Sequence, residues 1–376
     1  MRLRAFVFSV LLLVAAVGPA SGIAAGAATL SAVDASHTEQ SVTCTFPYTA
    51  TDATGTEVTL DSDPERIVTL NPSAAQTMWE IGAREEVVGF SQYATYLEGA
   101  GSGDRVNVSG AGGPSVEKVL AADPDLVLVP NSTYGFAADR VEQIREQVPV
   151  FVFGQPTSLD AAANKTERIG RLTGNCEAGV ERADEMRQSI ALMQQALEDE
   201  DRPLALNVFH GYTSGANTFI GDVMESGGLR NGAAEAGISG FQMINDETVV
   251  ELDPAWIVAP EDSPIPENEA YNSTTAIQEG NVVRVNTNYL QQPAPRSVLA
   301  AETILEAVHP DAYEEYQTLQ RQAETSTTES ATTVSETTTA TPDTDAPATT
   351  STDSPGFGLP VSVVALAAAA LLAIRR

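Results

Sequence analysis

The apolar positions of this chain fall into short, dense runs rather than long periodic ones. Residues 66–70, 86–90, 126–129 and 150–153 are brief and rich in Val, Ile, Leu and Phe, and each is bounded by Pro, Gly or Asn. A strand that is apolar at consecutive positions buries both faces, so these runs predict strands of a parallel sheet. Helical stretches separate them. Residues 74–81 follow Pro72-Ser73 and close at Gly82; residues 115–121 start at Ser115 as cap and stop at Asp123-Pro124; a third spans 139–147. The pattern restarts after residue 200, with strands predicted at 204–209, 256–258 and 282–285 and helices at 219–225 and 297–307. Strand-helix alternation of this kind predicts an α/β layer structure with right-handed crossovers.

The restart is also a weak repeat. Glu117-Lys118-Val119-Leu120-Ala121-Ala122-Asp123-Pro124 followed by Leu126-Val127 is similar to Val249-Val250-Glu251-Leu252-Asp253-Pro254 followed by Trp256-Ile257. Met78-Trp79-Glu80-Ile81-Gly82-Ala83 is echoed by Met224-Glu225-Ser226-Gly227-Gly228-Leu229 in the same order. The body is therefore expected to hold two lobes of related plan, 42–157 and 201–322. Residues 158–200 join them, free of proline and rich in Ala, Glu, Arg and Gln, with Gly170, Gly174 and Gly179 as interruptions. A continuous helix over 177–198 would be about 33 Å long.

The ends differ from the body. Met1-Arg2-Leu3-Arg4, a short apolar run and small residues to Ala25 or Ala28 form the pattern of a secretory signal peptide over 1–28. Its ~13 apolar residues reach only about 20 Å, too short to span a bilayer. Residues 323–354 are almost all Thr, Ser, Ala, Pro, Asp and Glu and are expected to form an extended stalk with nothing to bury. Residues 355–376 run from Pro355-Gly356-Phe357 through an apolar stretch to Arg375-Arg376, and the tail is similar to the archaeal PGF C-terminal sorting signal. That resemblance implies processing to a lipid anchor; read without it, the segment is a plain membrane anchor. Either reading places the protein on the outer face of the cell membrane.

Charge narrows the function. The net charge is −31 and Lys118 and Lys165 are the only lysines. Acidity spread over the body, with arginine kept, suits a surface solvated in high salt, where the Debye length shrinks to about 3 Å at 1 M. No basic patch exists to meet phosphates, so nucleic acid is excluded as a partner. Cys44 and Cys176 are expected to form one disulfide outside the cell. Sequons at Asn107, Asn131, Asn164 and Asn272 permit glycosylation. His37, His210 and His309 are too few and too scattered for a metal centre. Neither Gly-x-Ser-x-Gly nor a phosphate loop is present, so no enzymatic activity and no cofactor are expected.

From Val58 to Tyr316 the chain resembles the solute-binding proteins of ABC importers for cobalamin, ferric siderophores and haem. The resemblance rests on Pro64-Glu65-Arg66-Ile67-Val68-Thr69-Leu70-Asn71-Pro72-Ser73, on Ile81-Gly82-Ala83 through Val87-Val88-Gly89, on Ser115-Val116-Glu117-Lys118-Val119-Leu120 with Asp123-Pro124-Asp125-Leu126-Val127, and on Pro295-Arg296 with His309-Pro310. It implies two α/β lobes, each with a mostly parallel central sheet flanked by helices. One long helix would bridge them, and the ligand would lie in a cleft between them. It further implies a monomer that hands its ligand to an ABC permease powered by a separate ATPase. An acidic residue in the first helix often docks on the permease in that family; here Gln76 holds the aligned position, leaving Glu80 one turn along, with Glu225 as the second lobe's counterpart.

Ligands of doubly wound sheets sit outside the carboxyl ends of the strands. The loops expected there carry Asn71, Ser73, Tyr93, Tyr96, Tyr134 and Phe136 in the first lobe, and His210, Tyr212, Phe241 and Tyr289 in the second. Aromatic faces with amides and hydroxyls, and few cations, suit a large amide-decorated macrocycle such as cobalamin better than an anionic siderophore. Trp79 and Trp256 are expected in the core.

Overall fold

The computed structural model describes residues 42–336, with side chains to residue 325. The segments expected as a signal peptide (1–28), as a sorting signal (355–376) and as the stalk beyond residue 336 lie outside the described residues. The described residues divide into two compact units: one takes 42–155 and Ala163–Asp184, the other Pro156–Ala162 and 185–336.

The first unit opens with an antiparallel ribbon, β1 (Tyr48–Thr51) on β2 (Glu57–Leu60). Its main sheet uses β3 (Ile67–Thr69), β4 (Val87–Phe90) and β5 (Val106–Asn107). Two-residue strands β6 (Ser109–Gly110) and β7 (Gly113–Pro114) form a ribbon beside it, and β8 (Leu126–Pro130) and β9 (Val150–Phe153) complete it. The order is β5-β4-β3-β8-β9 and every pairing is parallel. Helices α1 (Pro72–Glu80), α2 (Val116–Ala121) and α3 (Asn131–Arg145) connect the strands. The consecutive apolar runs have the expected cause. Leu126, Leu128, Phe151 and Phe153 pack in one core with Met78 of α1, while Val127, Val129, Val150 and Val152 pack in another with Val119 of α2 and Ile144 of α3.

Residues 158–200 fold as two helices, α4 (Leu159–Leu172) and α5 (Cys176–Ala196), so the longest helix here starts one residue before the span expected from sequence. Only Gly174, with φ +69°, breaks the run; Gly170 and Gly179 lie inside the helices. Their job is close approach. A Cβ on Gly170 would come within 2.8 Å of the Gly179 Cα and 2.7 Å of the Asn175 carbonyl oxygen. The Cys44–Cys176 disulfide is formed, with the Cα atoms 5.4 Å apart, and ties the segment before β1 to the start of α5.

The second unit holds β10 (Leu204–Asn207), β11 (Tyr212–Ser214), β12 (Arg230–Asn231), β13 (Phe241–Met243), β14 (Trp256–Pro260) and β15 (Val282–Val285). Its sheet is parallel in the order β12-β10-β14-β15, and β11 pairs with β13 as a separate antiparallel ribbon. Around it lie α6 (Phe219–Ser226), α7 (Gly232–Glu235), α8 (Asp246–Leu252), α9 (Glu269–Asn272), α10 (Thr275–Glu279), α11 (Thr287–Leu290) and α12 (Ser297–Val308). Helix α13 runs Pro310–Glu336 and so continues past residue 322 into the Thr-rich segment that was expected to be extended from 323.

The repeat has a structural basis. Helix α2 before β8 and helix α8 before β14 both end at an Asp-Pro pair, and Asp123 and Asp253 both take left-handed backbone, φ +50° and +37°. Asp suits that conformation better than most residues with a side chain, and the proline bars further helix. Likewise α1 and α6 both close with a six-residue backbone bond, Ala83 N–H to Met78 O and Leu229 N–H to Met224 O, over a left-handed glycine.

Candidate functional site

Each sheet has one point where the strand order reverses direction, between β3 and β8 in the first unit and between β10 and β14 in the second. The crevice outside the carboxyl ends of the strands at such a point is where doubly wound sheets bind ligands. The two rims are described separately.

In the first unit, the loop after β3 is built from its own hydrogen bonds. Asn71 caps α1 by accepting from the Ala74 N–H at 3.1 Å, and its Nδ2 donates to Ser73 Oγ at 2.5 Å. Ser73 is buried, so its hydroxyl supports the loop rather than facing solvent. Lys165 of α4 donates its Nζ to the same oxygen at 2.5 Å and sits 5.8 Å from the Phe153 ring centre. Burial pushes the Lys165 ammonium down to about 7. Reading the loops alone missed this cation, because it arrives beneath them from a helix far along the chain.

The aromatics of this unit split into two groups. Tyr93 and Phe136 are exposed, at 69% and 67%, on the turn after β4 and the first turns of α3. Tyr96 and Tyr134 are half-buried against the two cores; Gln76 donates to the Tyr96 hydroxyl at 2.8 Å, and a hydrogen bond with Glu142, together with burial, raises the Tyr134 phenol. Residues 131–136, expected as a loop, are helical directly after β8, and α3 kinks at Ala137. Arg140 donates to the Pro114 and Ala111 carbonyls and clamps the β6–β7 ribbon beside Phe136. Trp79, expected in the core, is half-buried: its Nε1 donates to the Glu98 carbonyl and Arg105 lies over its ring.

The second unit presents a row of rings. Strand β10 runs out through Val208 to Phe209, His210 and Gly211, and turns straight into β11. Tyr212 stacks on Phe241 of β13, centroids 5.0 Å apart and planes 13° apart. Phe209 lies 6.2 Å from Phe241 and takes the His210 ring edge-on at 4.6 Å. In the β11–β13 register Tyr212 faces Met243 and Ser214 faces Phe241, which puts Tyr212, Phe241 and Met243 on one side. All three are exposed, Met243 at 71% and Phe241 at 50%. A buried amide network fixes this ribbon to the sheet. Asn207 donates to the Val258 carbonyl and accepts from Ser214 Oγ, while Asn231 donates to the Ser214 carbonyl. Tyr289, in α11 after β15, is half-buried.

The acidic residues stand apart from these rims. Glu80 is paired with Arg182 of α5 at 3.3 Å. Glu225 is exposed near the end of α6; partial burial, then the neighbouring Asp222, raises its carboxyl. Among the described residues no group of three His, Cys, Asp or Glu could hold a metal ion, and no helix is long and apolar enough to cross a membrane.

Two units, each with a parallel sheet and ring-bearing loops at its switch point, define an α/β fold whose strand-end rims are the candidate ligand surfaces. The chain belongs to the periplasmic binding protein family, whose model matches residues 67–289. It is 44% identical over 359 residues to the cobalamin-binding protein of Halobacterium salinarum, covering 91% of this chain and 92% of that protein. A vitamin B12-binding protein of Yersinia pestis is 22% identical, covering 64% of this chain and 85% of that protein. Among solved structures, the periplasmic vitamin B12 binding protein BtuF of Vibrio cholerae matches 66% of this chain and 98% of its own, with TM-score 0.57 and 20% identity. The periplasmic heme-binding protein RhuT from Roseiflexus matches 66% of this chain and 99% of its own, with TM-score 0.58 and 24% identity.

Proposed function

We propose that this protein is the corrinoid-binding component of an ABC importer. It captures cobalamin outside the cell and passes it to a membrane permease driven by a separate ATPase, with no chemistry of its own. The observation that carries the reading is the 44% identity, over 91% of the chain, to a cobalamin-binding protein. The exposed aromatic row of the second unit agrees with it. Flat ring faces and a thioether suit an apolar macrocycle, and the amides and hydroxyls at both strand-end rims suit its amide periphery. Tyr93 and Phe136 of the first unit are proposed to contribute in the same way, with Asn71, Ser73, Tyr96, Tyr134 and Tyr289 shaping the loops that hold them.

The protein works as a monomer on the outer face of the membrane, held there by its C-terminal segment as an anchor or through a lipid. Glu80 and Glu225 are proposed to meet the permease, Glu80 after exchanging its Arg182 partner.

Titration in molar salt with cobalamin, haemin and a ferric hydroxamate siderophore, followed by tryptophan and tyrosine fluorescence, tests the ligand. Cobalamin is expected to bind at micromolar concentration or below, and Phe241→Ala to weaken it about tenfold, in line with one lost stacking contact and its apolar area. Preference for the siderophore, with no response to cobalamin, would refute the corrinoid assignment.

A further inference from the structure

We infer that His210 supplies an axial nitrogen to the metal at the centre of the bound tetrapyrrole; this rests on the proposed function above. The first observation is where the chain places an imidazole. Phe209 and Tyr212 exchange backbone hydrogen bonds at 3.0 and 2.9 Å, so His210-Gly211 are the two central residues of a tight hairpin turn. Both have left-handed backbone, φ +50° and +81°. A two-residue turn with two positive φ values favours Asn-Gly or Gly-Gly, and a larger side chain at its first position is held there at a cost. Histidine tolerates left-handed backbone better than most residues with a side chain, but Asn would close this turn more easily, so the turn itself does not call for a ring.

The second observation is the ring's setting. His210 is exposed, and among the described residues its imidazole nitrogens make no hydrogen bond and no ion pair. Among the described residues its one ring contact is with Phe209, edge-on, in the same row of rings as Phe241 and Tyr212. A buried amide network holds that row at the switch point of the sheet.

The third is the ligand count. A bare metal ion needs several protein ligands, and no such cluster exists among the described residues. A metal whose four equatorial positions are filled by a macrocycle needs one. Neutral imidazole is a good ligand for cobalt and iron alike. The step is a ligand exchange: one imidazole nitrogen forms a bond to the metal, and the water held at that axial position leaves, with no change of oxidation state.

The test uses purified full-chain protein, His210→Asn as the variant that keeps the turn, and three probes. Aquocobalamin carries exchangeable water at one axial position; cyanocobalamin has that position filled by tightly held cyanide; haemin reports ligation through its Soret band. Wild type is expected to shift the visible spectrum of aquocobalamin to that of an imidazole-ligated corrin. His210→Asn should abolish the shift and weaken aquocobalamin at least tenfold more than it weakens cyanocobalamin. Cyanocobalamin binding alongside an unshifted aquocobalamin spectrum, or the same shift in His210→Asn, overturns the ligation and leaves the corrinoid reading standing. Binding of haemin alone with a His210-dependent Soret shift supports the ligation and overturns the corrinoid reading. No binding of any of the three overturns both.

Discussion

Lys165 offers a prediction whose size follows from its burial. It is 8% exposed, and removal from water holds its ammonium at about 7, against 10.5 for a free lysine. The folded pKa is depressed, so the charge is a penalty to folding. Below pH 7 both states are protonated and the penalty is complete. Between about 7 and 10.5 the unfolded chain binds the proton and the folded protein does not, so stability rises with pH; above 10.5 the penalty is gone. At about 1.4 kcal/mol per decade the full effect is on the order of 5 kcal/mol, of which about 2.5 kcal/mol falls between pH 6 and pH 9. Lys165→Met removes this term. It also removes a charged hydrogen bond to Ser73 worth about 2 kcal/mol, which is the same at every pH below the titration. Urea unfolding of both proteins in molar salt is expected to show wild type gaining about 2.5 kcal/mol on Lys165→Met from pH 6 to pH 9. Because Lys118 is the only other lysine, carbon-13 labelling of the lysine side chains reads the titration directly, as one signal moving near neutrality and one near the ordinary value. Parallel pH curves, with both lysine signals titrating above 10, would show that water reaches Lys165 and would refute the argument.

Other outcomes follow from single contacts. Replacing Cys44 and Cys176 by Ser opens a bridge across 132 residues and is expected to cost up to about 5 kcal/mol in the chain-entropy picture, read as a lower urea midpoint. Gly170→Ala drives a methyl into backbone at 2.7–2.8 Å and should destabilise by at least about 2 kcal/mol, whereas Gly135→Ala, inside α3 with open space around it, should leave stability unchanged or raise it by up to about 1 kcal/mol. Asn207→Ala removes the amide joining β10, β14 and β11; it is expected to cost about 2 kcal/mol and, on the proposed function, to weaken cobalamin binding by loosening the aromatic row. Calorimetry and the fluorescence titration separate those two effects.

Much of the fold was legible because burial on both faces leaves a mark in the sequence. Runs such as Leu126 to Val129 and Val150 to Phe153 have no polar face to show, Asn71 and Ser115 announce helix starts by side chains that accept from the first turn, and Asp253 followed by proline marks a helix end. What stayed hidden was non-local. The ribbon of β11 and β13 joins two three-residue strands with α6 and α7 between them, and nothing in Tyr212-Thr213-Ser214 names Phe241-Gln242-Met243 as its partner. The cation under Ser73 comes from Lys165, 92 residues away, and a lysine in a helix reads as a solvated one until packing buries it. Residues 131–136 read as loop from their Asn, Ser and Gly, but Pro130 cannot extend the strand's hydrogen bonding and helix begins at once. The His210-Gly211 turn was the one signal of the ribbon available in advance, since a residue followed by glycine between apolar segments is a hairpin mark.

The first unit takes Ile169 and Leu172 into its core, and Cys176 into its disulfide, only after the chain has spent seven residues in the second unit. Neither unit is therefore a contiguous stretch of gene. A fragment stopping near residue 157 would leave β3, β4 and β8 without part of the cover on one face, and with a free thiol. Recombination between relatives at a single crossover would likewise pair a first unit with someone else's Ile169, Leu172 and Cys176. New ligand specificity in this architecture is thus easier to reach by changing strand-end loops in place than by trading one half for another.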